Sequence, residues 1–229
     1  VKFTLPYSAF NDVDYAGLRD ERNEALANND AEALAEIDQQ RFNWLEFYKV
    51  KFSGDWYNNL FDKLVLRTRF EYGFLGAYNN DRGIPPFERF FLGGDGLAGF
   101  ALDGREIVAL RGYPNQSILP RSRTVGGEES FNDGASIYNK YTMELRYPIT
   151  LKPTASIYGL AFLEGGATFD QFKDFTPFEM SRSAGAGLRI FMPAFGLLGI
   201  DFGYGFDPIP GSNTGPNGWE THFIIGQQF

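Results

Sequence analysis

The feature that most constrains this sequence is an alternation of apolar and polar side chains with a period of two residues. After Lys63, the apolar positions are Leu64, Leu66, Phe70, Tyr72 and Phe74, and the positions between them are charged or small. The alternation returns in residues 141–147, 183–192 and 198–206. Because successive side chains of a β-strand point to opposite faces, the pattern predicts an all-β fold.

The polar side of these segments is unusually rich in glycine. Gly185 and Gly187 lie in one segment, and Gly199 and Gly203 lie in another. A sheet face in bulk water would carry more long charged side chains, whereas the crowded inner wall of a barrel favours small ones. The mean hydropathy is −0.28, and no apolar run approaches the roughly 18 residues that a transmembrane helix needs. We therefore expect a transmembrane antiparallel β-barrel.

Eight segments have the alternation of a strand and roughly the length that a tilted strand needs to cross a bilayer. They are residues 1–8, 42–56, 64–76, 138–151, 154–168, 182–193, 196–206 and 219–229. A tight turn is predicted at 192–196, and a loop rich in Pro and Gly at 207–218. Since the chain opens on Val1 inside a predicted strand, we expect it to be part of a longer protein.

Residues 12–40 interrupt the alternation with an acidic segment. They hold nine acidic and two basic residues, and so account for −7 of the formal net charge of −8. The nearly neutral remainder does not support a basic nucleic-acid-binding face. The segment is rich in alanine, and the spacing of Asn29 and Glu32 resembles a capping box. Both features predict one or two short helices. We interpret the segment as a solvated excursion in an external loop; the alternative is a docking surface for an accessory subunit.

The segment 78–137 is far longer than an ordinary connection. It is too apolar to stay solvated and disordered. Its apolar residues are Phe87, Phe90, Phe91, Leu92, Leu97, Phe100, Ile107, Val108, Leu110 and Tyr113. Side chains alone fill the interior of an eight-stranded barrel, so a loop of this size needs a wider one. If the loop folds into the lumen, we expect about as many strands again before Val1.

The sequence offers little for catalysis. It has no Cys, and its only His is His222, so a Ser-His-acid triad would have to use a residue of an alternating strand. No G-x-S-x-G elbow is present. Residues 94–99 match G-x-G-x-x-G, but no helix can follow them to hold a dinucleotide. We predict no enzyme, no cofactor and no metal site, with a barrel-embedded lipase as the enzymatic alternative.

Four motifs, in order along the chain, resemble the BamA family of outer-membrane proteins. They are L-R-G-Y at 110–113, M-E-L-R-Y-P at 143–148, F-L-E-G-G-A-T-F at 162–169 and G-W-E-T-H-F-I-I-G-Q-Q-F at 218–229. In that family the first lies at the tip of the sixth external loop, and the last is a C-terminal sorting strand. The resemblance runs from Lys63 to Phe229 and leaves residues 12–40 without a counterpart. It implies the last eight strands of a sixteen-stranded barrel, with the loop at 78–137 folded inside.

The resemblance implies a site in the lumen. Arg111 would pair there with Glu144 and Glu164, while Gly112 would form a tight bend and Tyr113 a packing anchor. The alternation places Glu144 on the inner face of its strand. Arginine suits this role because its planar guanidinium can bind two carboxylates at once and stays charged.

The terminal strand, 219–229, is expected to combine the sorting signal with a seam. Trp219, Phe223 and Phe229 would face lipid on the same side of the strand. Gly226 would weaken the strand, because it has no side chain to pack and permits a bend.

For function, the resemblance implies a factor that folds and inserts barrel proteins into the bacterial outer membrane. Its substrates would be unfolded outer-membrane proteins, released through a seam between the first and last strands, and its partners would be accessory lipoproteins. The alternative within the same superfamily is a two-partner-type secretion pore, in which the loop plugs a channel. No nucleic-acid partner is expected.

Overall fold

The structure of the chain is a computed structural model. It describes residues 1–10, 13–43, 45–79, 81, 83–96, 106–120, 134–152, 154–193, 196–212 and 214–226. Leu97, Phe100 and Phe229, and the second half of the glycine motif at 94–99, lie outside the described residues.

The described part of the chain forms one eight-stranded antiparallel sheet. Its strands are β1 (Lys2–Phe3), β2 (Tyr48–Phe61), β3 (Leu64–Gly76), β6 (Ile137–Lys152), β7 (Ala155–Phe169), β8 (Ser181–Met192), β9 (Gly196–Gly205) and β10 (Gly218–Gly226). Neighbours follow the order β1-β2-β3-β6-β7-β8-β9-β10. Two short strands, β4 (Phe90–Leu92) and β5 (Glu106–Val108), pair in parallel outside this sheet. The predicted all-β antiparallel fold is confirmed, and the sheet is open between β1 and β10 within this chain.

Two predicted strands differ from the observed ones. The strand expected at 1–8 is only Lys2–Phe3, because Pro6 has no N–H for a ladder and Tyr7–Ala9 form a 3-10 turn. The strand expected at 42–56 is shifted along the chain to Tyr48–Phe61, and the helix before it ends at Arg41. The segment predicted at 154–168 is a full strand, paired with β6 on one side and β8 on the other.

The outward face of the sheet is apolar and exposed. Its large exposed side chains include Met143, Leu145, Tyr147, Ile149, Leu151, Leu163, Leu198, Phe202, Trp219, Phe223 and Ile225. An apolar face of this extent is a contact surface rather than a solvated one, and it matches the lipid-facing band of membrane barrels.

The core lies on the inward face, between the sheet and the segment that links β3 to β6. One cluster joins Phe90 of this loop to Phe47, Leu75 and Tyr138 around the sheet. A second cluster consists of Leu92, Leu110, Tyr113 and Ile118, all from the loop. The loop therefore folds back along the inner face of the sheet, and its residues in these two clusters are buried there, whereas Phe87 is exposed.

Helices α1 (Tyr15–Ala27) and α2 (Ala31–Arg41) form a hairpin between β1 and β2. The Asp30 side chain accepts a hydrogen bond from Ala33 N and caps α2. The expected cap, Asn29, is instead the left-handed turn residue with φ of 55°. Asparagine tolerates the left-handed conformation that the turn between the helices requires. The N-cap of α2 is therefore the next residue, Asp30. No helix among the described residues is long and apolar enough to cross a membrane.

The connections differ in length at the two ends of the sheet. Short turns join β2 to β3, β6 to β7 and β8 to β9 at one end. The helical hairpin, the long loop and the connections after β7 and β9 lie at the other. Membrane barrels carry short periplasmic turns and longer external loops, which predicts that the hairpin is external.

A cysteine at Ala27, which is exposed on α1, tests this orientation. We expect Ala27→Cys to react with a membrane-impermeant maleimide in intact cells. The matched control is Lys63→Cys, in the exposed turn at the opposite end of the sheet, which should react only after permeabilisation. The reverse pattern would place the hairpin in the periplasm.

Candidate functional site in the lumen-facing loop

Arg111 lies at the centre of a buried cluster of charged side chains. Its Nη2 donates to Glu144 Oε1 and to Glu164 Oε1, both at 2.7 Å. Its Nη1 donates to Asp201 Oδ2 at 2.9 Å, and its backbone N–H donates to Glu164 Oε2 at 2.9 Å. One guanidinium thus contacts three strands, because Glu144 lies on β6, Glu164 on β7 and Asp201 on β9.

Each of the three carboxylates also has a second cation. Arg146 Nε donates to Glu144 at 2.9 Å, and Lys140 Nζ lies 3.3 Å from Glu164. Arg189 binds Asp201 with two bonds of 2.6 and 2.7 Å. Removing a carboxylate from water is costly unless it is paired and hydrogen-bonded. The cluster meets this requirement through charge-assisted bonds on every carboxylate.

The inner wall is shaped to receive these side chains. The guanidinium of Arg111 stacks on the Phe162 ring with 3.8 Å between its Cζ and the ring centroid, a favourable cation–π geometry. A side chain at Gly187 would overlap the Asp201 carboxylate, and a Cβ at Gly199 would lie 2.7 Å from Arg189 Cδ. The glycines of the polar face therefore provide room for the buried ions.

The backbone of Gly112 packs closely against strands β8 and β9. Its φ is 85°, and a Cβ there would lie 2.8 Å from Ser183 Cβ. Its N–H donates to His222 Nε2 at 2.7 Å, and its carbonyl accepts from Asn217 Nδ2 at 2.9 Å. Both the left-handed conformation and the close approach require glycine here.

Tyr113 is fully buried and ends the motif. Its hydroxyl donates to the Arg182 carbonyl at 2.8 Å and accepts from Asp207 N at 3.2 Å. Burial raises the pKa of Tyr113 to about 12, so the hydroxyl keeps its proton and can donate.

A second anchor holds the loop to the other side of the sheet. Lys49 on β2 is buried, and its Nζ lies 2.8 Å from Glu106 Oε2, 3.1 Å from Glu88 Oε2 and 2.7 Å from the Glu88 carbonyl. Burial alone would raise the pKa of Glu106, but hydrogen bonds from Lys49 and Lys51 outweigh it and lower that pKa. The loop is therefore tied to β2 as well as to β6, β7, β9 and β10.

The structure places the predicted site residues in two groups. Arg111, Gly112, Tyr113, Glu144 and Glu164 come together in the buried cluster. On the terminal strand, Trp219 and Phe223 point outward, with exposed fractions of 71% and 55%. Gly226 pairs with Leu197 in the regular ladder of β10 with β9. Phe229 lies outside the described residues.

Sequence reasoning missed several members of the cluster. The alternation puts Asp201 and Arg189 on the polar faces of their strands, but it does not indicate that Asp201 binds Arg111 or that Arg189 binds Asp201. The sequence indicates for His222 only a possible place in a catalytic triad, and for Asn217 only a place in a loop, although both bind Gly112. An inward carboxylate flanked by glycines, as Asp201 is, was the signal that could have identified it.

Together the fold and the site define a class of protein: one wall of a membrane β-barrel, with a long loop anchored inside by a buried arginine. A family model described as the Omp85 superfamily domain matches residues 19–229. The chain belongs to the Omp85 superfamily.

Individual relatives agree with this assignment. The chain is 26% identical over 186 residues to the outer membrane protein assembly factor BamA of Nitratidesulfovibrio vulgaris, covering 80% of this chain and 21% of that protein. The crystal structure of BamA from Haemophilus ducreyi lacking POTRA domains 1–3 has the same fold, with a TM-score of 0.56 and 16% identity over 78% of this chain and 35% of that chain. The resemblance to the BamA family is confirmed, and the chain spans only a minor part of each relative.

The Arg111 cluster is tested by a double-mutant cycle of Arg111→Ala and Glu164→Ala. Breaking a buried pair costs about 3–5 kcal/mol, and the second cation on each carboxylate places this case toward the lower end. The two changes should be strongly non-additive, by about 1 kcal/mol or more. The readouts are protease protection of the loop and the unfolding free energy of the full-length protein.

Arg111→Lys is the matched control for this cycle. It keeps the positive charge but cannot address several carboxylates with one planar group, so we expect partial protection of the loop. Strictly additive single changes would show that Arg111 and Glu164 do not act as a pair.

Proposed function

We propose that the chain is the C-terminal barrel part of a factor that folds and inserts β-barrel proteins into the bacterial outer membrane. Membership of the Omp85 superfamily and the similarity to a BamA assembly factor support this proposal. The observation that carries it is the buried Arg111 cluster. It fixes the loop behind the last strands of the wall, while the outward face of the terminal strand remains free.

In the proposed function, the terminal strand forms one side of a lateral seam. An unpaired strand edge is intolerable in lipid, where no water can satisfy its N–H and C=O groups. An edge of β10 would supply those partners to an incoming strand and so lower the barrier to insertion. Trp219 and Phe223 would hold the terminal strand against lipid during this exchange.

The proposed partners follow from the same role. Substrates would be unfolded outer-membrane proteins, and accessory lipoproteins would complete the assembly complex. The relatives are assembly factors rather than known enzymes, which fits a function without catalysis. An acyl-ester hydrolysis assay on the full-length protein should accordingly show no activity.

Depletion of the full-length protein in cells tests this function. We expect many different barrel proteins to be lost from the outer membrane, because each depends on the same seam. Loss of one exported protein alone, with barrel proteins at normal levels, would contradict assembly and support a secretion pore. The matched control is depletion with a wild-type copy supplied in trans.

Gly226→Val tests the role of the terminal strand in the seam. Among the described residues, a Cβ at Gly226 would meet Leu197 Cβ alone, at an ordinary 3.7 Å, so valine should mainly affect backbone freedom. We expect normal insertion of the variant itself but slower assembly of substrates. Thr221→Val, on the same strand, is the control. Normal assembly by Gly226→Val would remove Gly226 from the mechanism.

A further inference from the structure

The terminal strand and the residue just before it hydrogen-bond to the loop at Gly112. His222 accepts the N–H of Gly112 at 2.7 Å, and Asn217 donates to its carbonyl at 2.9 Å. Both backbone polar groups of Gly112 are thus satisfied by the terminal strand and the residue just before it. The loop also reaches β9 here, since a Cβ at Gly203 would lie 2.7 Å from Gly112 N.

His222 is placed to hold this contact in one chemical form. Its side chain is buried on the inner face of β10, with Asp201 as its partner across the ladder. Because Nε2 accepts the hydrogen bond, the ring is neutral and carries its proton on Nδ1. Without this acceptor, the Gly112 N–H would be a buried donor with no partner, which is costly.

The contact divides β10 into two halves. The first half, from Gly218 to His222, is held both by the ladder with β9 and by the loop. Beyond His222, the hydrogen bonds described for the strand are those of its ladder with β9, from Phe223 opposite Ile200 to Gly226 opposite Leu197. The two halves therefore differ in how many interactions resist their separation from the wall.

We propose that His222 is a positioning residue that clamps the first half of the terminal strand to the Arg111 loop. When the seam between the first and last strands opens, the half of β10 from Gly218 to His222 then keeps its place on the wall. The inference deepens the proposed function, on which it rests for the role of this strand in the seam. The loop then does more than occupy the lumen. It fixes the register of the first half of β10, the strand on which the substrate pairs.

Hydrogen–deuterium exchange on the full-length protein in phospholipid vesicles tests the clamp. In the wild type, we expect amides of residues 218–222 to exchange more slowly than those of 223–226. His222→Ala should speed exchange at 218–222 by about tenfold, which corresponds to losing one buried hydrogen bond. His222→Gln should restore slow exchange, because the amide oxygen of glutamine can accept from Gly112 N.

Two further variants keep the comparison interpretable. Thr221→Ala, at an exposed neighbouring position, should leave exchange unchanged. Asn217→Ala removes the second bond to Gly112 and should also speed exchange at 218–222, which provides a readout if His222→Ala fails to insert. Unchanged exchange in both alanine variants, or exchange in His222→Gln as fast as in His222→Ala, would overturn the proposal.

Insertion of an unfolded barrel protein, measured in the same vesicles, separates this inference from the proposed function. If the wild type inserts substrate, His222→Ala should slow insertion severalfold and His222→Gln should restore it. A wild type that inserts no substrate would reject the proposed function, while the exchange data would still decide whether His222 clamps the strand.

Discussion

A guanidinium placed among carboxylates, away from water, holds the inside of this wall together. Arg111 is costly to bury alone, and so are Glu144, Glu164 and Asp201, but together they satisfy each other's charges and hydrogen bonds. The ion pairs of Arg111 hold the loop against the wall. They also fix the position of the next two residues, Gly112 and Tyr113. The apolar residues of the loop then have a surface on which to pack. Without the cluster, this surface would meet an inner face that is polar and rich in glycine.

The sheet reverses the usual arrangement of a water-soluble protein. Its exposed face is apolar, and its polar and charged side chains lie on the inner face beneath the loop. A lipid environment accounts for this reversal, since it demands an apolar outer band and complete pairing of backbone groups. It also explains why many bulky apolar side chains of the strands face outward, whereas the glycines beside the buried ions lie on the inner face.

The alternation of apolar residues predicted the sheet well, because the strand period is a local property of the sequence. It failed where a local feature competes, as at Pro6, where the proline and a 3-10 turn end β1 after two residues.

The Arg111 site was only partly predictable. Glu144 and Glu164 came from a resemblance between motifs, whereas Asp201 lies 90 residues from Arg111 along the chain. Several carboxylates face inward, and the path of the loop across four strands decides which of them meets the loop arginine. No periodicity in the sequence encodes that path.

The ion pairs of this chain occupy two very different environments. Those of Arg111 are buried beneath the loop, whereas the pair between Arg19 and Asp20 on the helical hairpin lies in solvent. Mobile ions weaken exposed pairs over a Debye length of about 8–10 Å at physiological ionic strength, but they reach buried pairs poorly. Added salt therefore weakens the exposed pair of the hairpin more than it weakens the buried pairs of the loop. The buried cluster is therefore insulated from ionic conditions that the exposed pair experiences directly.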